Sequence, residues 1–181
     1  MNRALAAAVA AVVLTGAAPK SRADWLKSSP ALGKAEAQCA PAETGPAVLV
    51  LVTGLKDRTG RLKAELYPAN DDDFLADDNQ LLMAEKVFRR VEVTLQPSGP
   101  VQLCLRVPGP GAYALSVLHD RDANRKFGLS TDGAGFSRNP RLGLAKPKAA
   151  AVTFAADAGL TQQTIVMNYR RGLFRFGPLK D

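Results

Sequence analysis

The sequence has one histidine, one tryptophan and two cysteines in 181 residues, and aromatics make up only 6% of it. Each shortage closes a class of function. Any histidine-dependent enzyme would have to work through His119 alone. Two cysteines and one histidine do not build a convincing four-ligand zinc site. Cys39 and Cys104 stand too far apart for a C-x-x-C redox pair. Few aromatics and no basic motif of a known module argue against nucleic acid as a partner. Beyond Ala18 there is no apolar run near the ~20 residues a membrane-spanning helix takes, so no transmembrane segment is expected in the mature chain.

The one long apolar stretch lies at the start. Arg3 precedes an alanine-rich run from Ala4 to Ala18, and Ser21-Arg22-Ala23 offers small residues where a signal peptidase reads. Residues 1–23 therefore read as a secretory signal peptide. Leu14-Thr15-Gly16 begins a lipobox, but Ala17 stands where the lipid-bearing cysteine belongs. Loss of Arg3, Lys20 and Arg22 lowers the formal charge from +7 to +4, a mild excess that permits attraction to anionic surfaces without requiring it. The expected location is exported: the periplasm first, the cell surface or exterior as alternatives. In such a compartment an even cysteine count favours a Cys39–Cys104 disulfide over two free thiols.

Residues 24–46 show no sustained period and read as an extended N-terminal segment. From residue 47 to 170 the pattern is short apolar runs broken by Gly, Pro and Asn, as in an all-β domain. Val48 to Val52 reads as a strand buried on both faces, and with the alternating Leu62–Tyr67 it is expected to form a β-hairpin. Asp71–Asp73 are placed to cap one helical turn, while residues 80–86 are ambiguous between helix and loop. Val91, Val93 and Leu95 alternate. In Val101–Val107 the odd positions face inward, so Cys104 faces outward and is placed to tie the N-terminal segment over the sheet. Tyr113–His119, Val152–Phe154 and Gln163–Tyr169 complete the strands, and a long polar loop fills Asp120 to about Lys148. Residues 171–181 form a C-terminal tail of alternating arginines and apolar rings. The expected fold is a single antiparallel β-sandwich of about seven strands, Ig-like or transthyretin-like, with a barrel as the runner-up.

Three segments in combination resemble the bacterial domain-of-unknown-function family 2141. They are Pro108-Gly-Pro-Gly-Ala-Tyr113, His119-Asp120-Arg-Asp122-Ala-Asn124 and Gly135-Phe136-Ser137-Arg138-Asn139. The resemblance spans roughly residues 46 to 170. It implies an exported β-sandwich of the broad transthyretin-like or carboxypeptidase-regulatory-like kind, and carries no activity with it. One position departs: the family's loop continues with glycine after the asparagine, where this chain has Arg125.

The candidate site residues cluster around that loop. Asp120, Asp122 and Asn124 at alternate positions could converge on Ca²⁺, as in the first half of a calcium loop. The sixth position is Arg125 instead of glycine, and the twelfth is Thr131 instead of a bidentate acid. The competing reading is an Asx-rich turn whose side chains bond local backbone. His119 with Ser137 and an aspartate suggests a triad, but Gly-Phe-Ser-Arg-Asn is not a nucleophile elbow. The better expectation is that His119, Ser137, Arg138 and Asn139 hold the loop against the sheet. The expected function is a non-catalytic exported module that binds an envelope protein, glycan or other ligand through the 120–141 loop, without a cofactor. The alternatives are a calcium-stabilised module and a small hydrolase using His119.

Overall fold

A computed structural model describes Cys39 and residues 45–143, 145–173 and 175–179. The expected signal peptide, and the expected N-terminal segment apart from Cys39, Gly45 and Pro46, lie outside the described residues. The elements in order are β1 (Ala47–Thr53), β2 (Arg61–Pro68), α1 (Asp78–Met83), β3 (Arg89–Thr94), β4 (Gln102–Arg106) and β5 (Gly111–Asp120). They continue with β6 (Gly133–Phe136), α2 (Ala149–Val152), β7 (Thr153–Ala156), β8 (Leu160–Val166), β9 (Asn168–Arg170) and β10 (Phe176–Pro178). A three-stranded sheet, β4-β1-β8, packs on a seven-stranded sheet, β10-β9-β6-β5-β2-β3, with β7 also paired to β5. The all-β sandwich is as expected. One pairing departs from purely antiparallel order, since β1 and β8 run parallel.

Period-two alternation builds the core. Val48, Val50 and Val52 of β1, Leu103 and Leu105 of β4 and Ile165 of β8 meet Leu62, Ala64 and Leu66 of β2 and Leu115 and Val117 of β5. The far face of the large sheet is covered too. Tyr67, Ala114 and Phe136 pack there against Phe74, Leu81 and Phe88, and against Ala149 and Val152 of α2. The large sheet is thus a middle layer, with the small sheet below and two chain excursions above.

Several local expectations are corrected. The proposed β1–β2 hairpin does not form: β1 pairs with β4 and β8, and β2 with β3 and β5. Residues 54–60 cross between the sheets instead. Alternation fixes which side chains face inward, but it leaves the hydrogen-bonding neighbour open. β1 is also not buried on both faces, because Leu49 and Leu51 are only half-buried. The turn before Phe74 is capped by Asn70, whose Oδ1 accepts the amides of Asp72 and Asp73, and Asp77 caps α1 through the Asn79 amide. The expected Gln163–Tyr169 strand is broken at Met167, with β8 in one sheet and β9 in the other. The C-terminal tail contributes β10, paired to β9.

The loop expected from Asp120 to Lys148 contains β6, which propensity conceals because two of its four residues are glycine. Those glycines are there for packing. A Cβ on Gly133 would stand 2.3 Å from the Tyr169 ring, and one on Gly135 would stand 2.4 Å from Ile165.

Candidate functional site

His119, the penultimate residue of β5, lies on its inward face and is fully buried. Its Nε2 lies 2.8 Å from the Thr59 carbonyl and its Nδ1 lies 2.6 Å from Tyr169 Oη. A carbonyl only accepts, so Nε2 carries the proton and Nδ1 accepts from the tyrosine hydroxyl. Tyr169 Oη in turn accepts the Lys56 amide at 3.1 Å. Burial holds the imidazole below its ordinary pKa and pushes the Tyr169 phenol up to about 12. Next to this chain, Arg121 grips Asp57 through Nε and Nη2, and that guanidinium holds the Asp57 carboxyl below its usual range. The 54–60 crossover is thereby tied to the end of β5.

The 120–132 turn is organised by its carboxylates. Asp120 accepts the amides of Asn124 and Arg125 at 3.0 and 2.9 Å. Asp132 accepts those of Arg121 and Gly128 at 3.0 and 2.8 Å. Asp122 binds the Asn124 side chain at 2.8 Å. Oxygens of Asp120, Asp122 and Asp132 lie within 4.8 Å of one another. Two of the three proposed metal ligands are thus brought together. Asn124 instead turns its Oδ1 to the Lys126 amide, and Asp132 takes the third place. Arg61 stands 3.6 Å from Asp120 and neutralises part of the acidic charge. Arg125 has φ +66°, a left-handed conformation that glycine adopts without steric cost.

Ser137, Arg138 and Asn139 form a second brace, separate from His119. Ser137 accepts the Leu115 amide at 3.1 Å and donates to the Val152 carbonyl. Arg138 reaches the Thr153 carbonyl. Asn139 bonds Thr164 O and Val166 N, each at 2.8 Å, and so links the loop to β8 of the other sheet. His119 and Ser137 have separate partners, so the triad arrangement is not assembled.

What these braces position is a cleft of about 330 Å³ over the outer face of the large sheet. Outward positions of β2, β5 and β6 (Lys63, Glu65, Ser116, Leu118, Ala134 and Phe136) supply its floor. Phe127 and Leu129 contribute from the loop, and Leu142 and Phe176 from the chain beyond it. Phe127 meets Phe176 edge-on at 6.0 Å between centroids. The floor charges are largely satisfied among themselves: Glu65 takes Arg90 at 2.7 Å, Tyr67 Oη at 2.8 Å and Lys63 at 3.1 Å. The remaining lining is mostly apolar, and Phe127 and Leu129 stay 50% and 40% exposed.

Of the lining residues, Phe136 in the Gly135–Asn139 segment and Phe176 in the C-terminal run of arginines and rings stand in stretches that the sequence sets apart; those of the loop itself do not. The available signal was Phe127-Gly128-Leu129, two large apolar side chains inside an otherwise polar loop. The residues that were singled out hold that loop in place.

A family model described as "Uncharacterized protein conserved in bacteria (DUF2141)" matches residues 50–164. The chain belongs to this family. The match runs from within β1 to within β8, so this DUF2141 domain includes His119, the Asx-rich turn and the Ser137–Asn139 segment. The last two strands, β9 and β10, lie beyond the match, and with them Tyr169 and Phe176. No curated protein and no solved structure matches the chain.

Proposed function

We propose that this DUF2141 protein is an exported, non-catalytic binding module that takes an envelope ligand into the cleft beside its 120–141 loop. The observation that carries this reading is an apolar cleft of small-molecule size, with a few polar groups on its floor. Export is supported by the signal-like residues 1–23 and by the Cys39–Cys104 bridge. No helix among the described residues is long and apolar enough to cross a membrane. A non-catalytic role is supported by His119, whose two ring nitrogens are both engaged inside the protein.

The test is fluorescence of N-phenyl-1-naphthylamine, a neutral apolar dye, added to the full chain. The dye should brighten on binding. Ala134→Phe, which fills the floor, and Phe127→Asp at an exposed rim position should each weaken binding at least tenfold with an unchanged melting temperature. No dye binding, or binding indifferent to both substitutions, overturns the cleft as the site. Turnover on an ester or glycan panel, abolished by His119→Ala, overturns the non-catalytic reading.

In the same reading the 120–132 turn works without metal, because amide donors and Arg61 already compensate its carboxylates. Calcium at millimolar concentration or a chelator should leave the melting temperature within about 1 °C. A calcium-dependent rise of several degrees would establish the calcium-stabilised alternative instead.

A further inference from the structure

The floor of the apolar cleft changes character from strand to strand. On the outward face of the large sheet, Lys63 of β2 stands opposite Leu118 of β5, which stands opposite Ala134 of β6. In the neighbouring row Glu65 faces Ser116, and Ser116 faces Phe136. Paired strands lie ~4.8 Å apart, so the floor passes from charged to apolar side chains over roughly 10 Å. Phe176 lies on the apolar side, in β10 beyond β6 and β9, and its ring meets that of Phe127. A molecule lying across the strands therefore meets polar groups at one end and hydrocarbon at the other. The volume, about 330 Å³, is at the low end of the roughly 300–1,000 Å³ of small-molecule sites, which suits one chain rather than several.

The polar end is charged but balanced. Lys63 Nζ lies 3.1 Å from Glu65 Oε1. The same carboxylate takes Arg90 at 2.7 Å and the Tyr67 hydroxyl at 2.8 Å, and Arg90 also reaches Asp78 at 2.8 Å. Two cations thus meet two carboxylates. Lys146, a further cation lining the cleft, is exposed and turns its Nζ to the Phe74 carbonyl at 3.3 Å. The Lys63 and Glu65 side chains are only 14% and 9% exposed, so little water screens them. An anionic head beside Lys63 would stand against Glu65, and a cationic head beside Glu65 would stand against Lys63 and Arg90; like charges brought together there are costly. A hydroxyl meets no such penalty. It accepts from the ammonium, which has three N–H donors, and donates to the carboxylate, which offers about four acceptor sites.

We infer that the ligand is a single-chain amphiphile with an uncharged, hydroxylated head, the head on the Lys63–Glu65 pair and the chain across β5 and β6. This rests on the cleft being the binding site. The experiment measures displacement of N-phenyl-1-naphthylamine from the full chain by octyl glucoside, octanoate, octyltrimethylammonium and glucose, each below any micelle-forming concentration. Octyl glucoside should bind about tenfold more tightly than either charged amphiphile, and glucose should not displace the dye. Lys63→Met keeps the apolar stem and removes the donor, while Arg90 and Tyr67 still satisfy Glu65. It should weaken octyl glucoside about tenfold, as loss of a hydrogen bond to a charged group does, with dye binding and melting temperature retained. Should the variant not fold, the comparison of head groups on the native protein decides by itself. A charged amphiphile that binds as tightly as the glucoside overturns the inference, as does a glucoside affinity indifferent to Lys63→Met; both leave the cleft reading standing. Glucose as effective as octyl glucoside removes the chain and overturns it as well. Failure of the dye itself to bind overturns both readings.

Discussion

Reducing the Cys39–Cys104 bridge should lower the unfolding free energy by about 4 kcal/mol, the chain-entropy cost of freeing a loop of this length. The bridge joins cysteines 65 residues apart in sequence, with Cα atoms 5.8 Å apart. Cys104 sits mid-strand in β4, opposite Leu49 of β1, on the outward side of the small sheet. Among the described residues that side carries no second layer comparable to the one above the large sheet, and Leu49 and Leu51 are half-buried there. The tether therefore acts on the outer face of the small sheet. For a domain of this size, 1 kcal/mol moves the melting temperature by roughly 2–4 °C, so reduction should cost roughly 10 °C. Thermal melts with and without dithiothreitol, repeated on Cys39→Ser, measure this. An unchanged melting temperature would show that the bridge constrains nothing in the unfolded chain that matters to stability.

The second large effect centres on His119. His119→Ala removes a fully buried ring and strands the Thr59 carbonyl and the Tyr169 hydroxyl, at a cost on the order of 3 kcal/mol from cavity and lost hydrogen bonds together. The residue also makes stability depend on pH. Burial depresses the folded-state pKa below the ordinary 6.5, so the unfolded chain takes up the proton first on acidification. Its stabilising contribution is complete above pH 6.5 and declines as pH falls toward the lower folded-state value. Protonation would also place a hydrogen on Nδ1, facing a hydroxyl that already donates there. The chain has no other histidine, so no second imidazole contributes to a fall in stability between pH 7 and 5. Denaturant titrations across that range should show the slope in the native protein. His119→Gln should lose the slope while keeping part of the stability, since its amide can donate to Thr59 and accept from Tyr169. A slope that persists in the glutamine variant would place its origin elsewhere.

Much of the fold was legible in local pattern. Val101–Val107 shows why: alternation over four apolar positions fixes the face of every residue between them, and the outward placement of Cys104 follows from counting by two. Counting by two along Tyr113, Leu115 and Val117 likewise puts His119 on the inward face and Asp120 on the other. The Asx-rich character of 120–124 was equally local, because Asp and Asn reach backbone amides only a few residues away. Where local pattern gave no information, the expectations failed. β6 is half glycine, and its reason lies in the Tyr169 and Ile165 side chains that arrive from much later in the chain.

The sequence by itself determined the strand-rich composition, the inward and outward parity, the available disulfide partners and the turn chemistry of the 120–124 segment. These depend on the covalent geometry of a strand and on contacts between near neighbours. The tertiary structure alone decided that β1 and β2 part into different sheets, that β8 and β9 are one run divided between two layers, and that His119 closes on Tyr169 and Thr59. It also decided that Phe127, Leu118, Phe136 and Phe176, from four separate segments, line one cleft. Such placements are set by which surfaces meet once every strand has chosen its neighbours, a choice made over the whole chain through burial and hydrogen bonding and written in no single stretch of it.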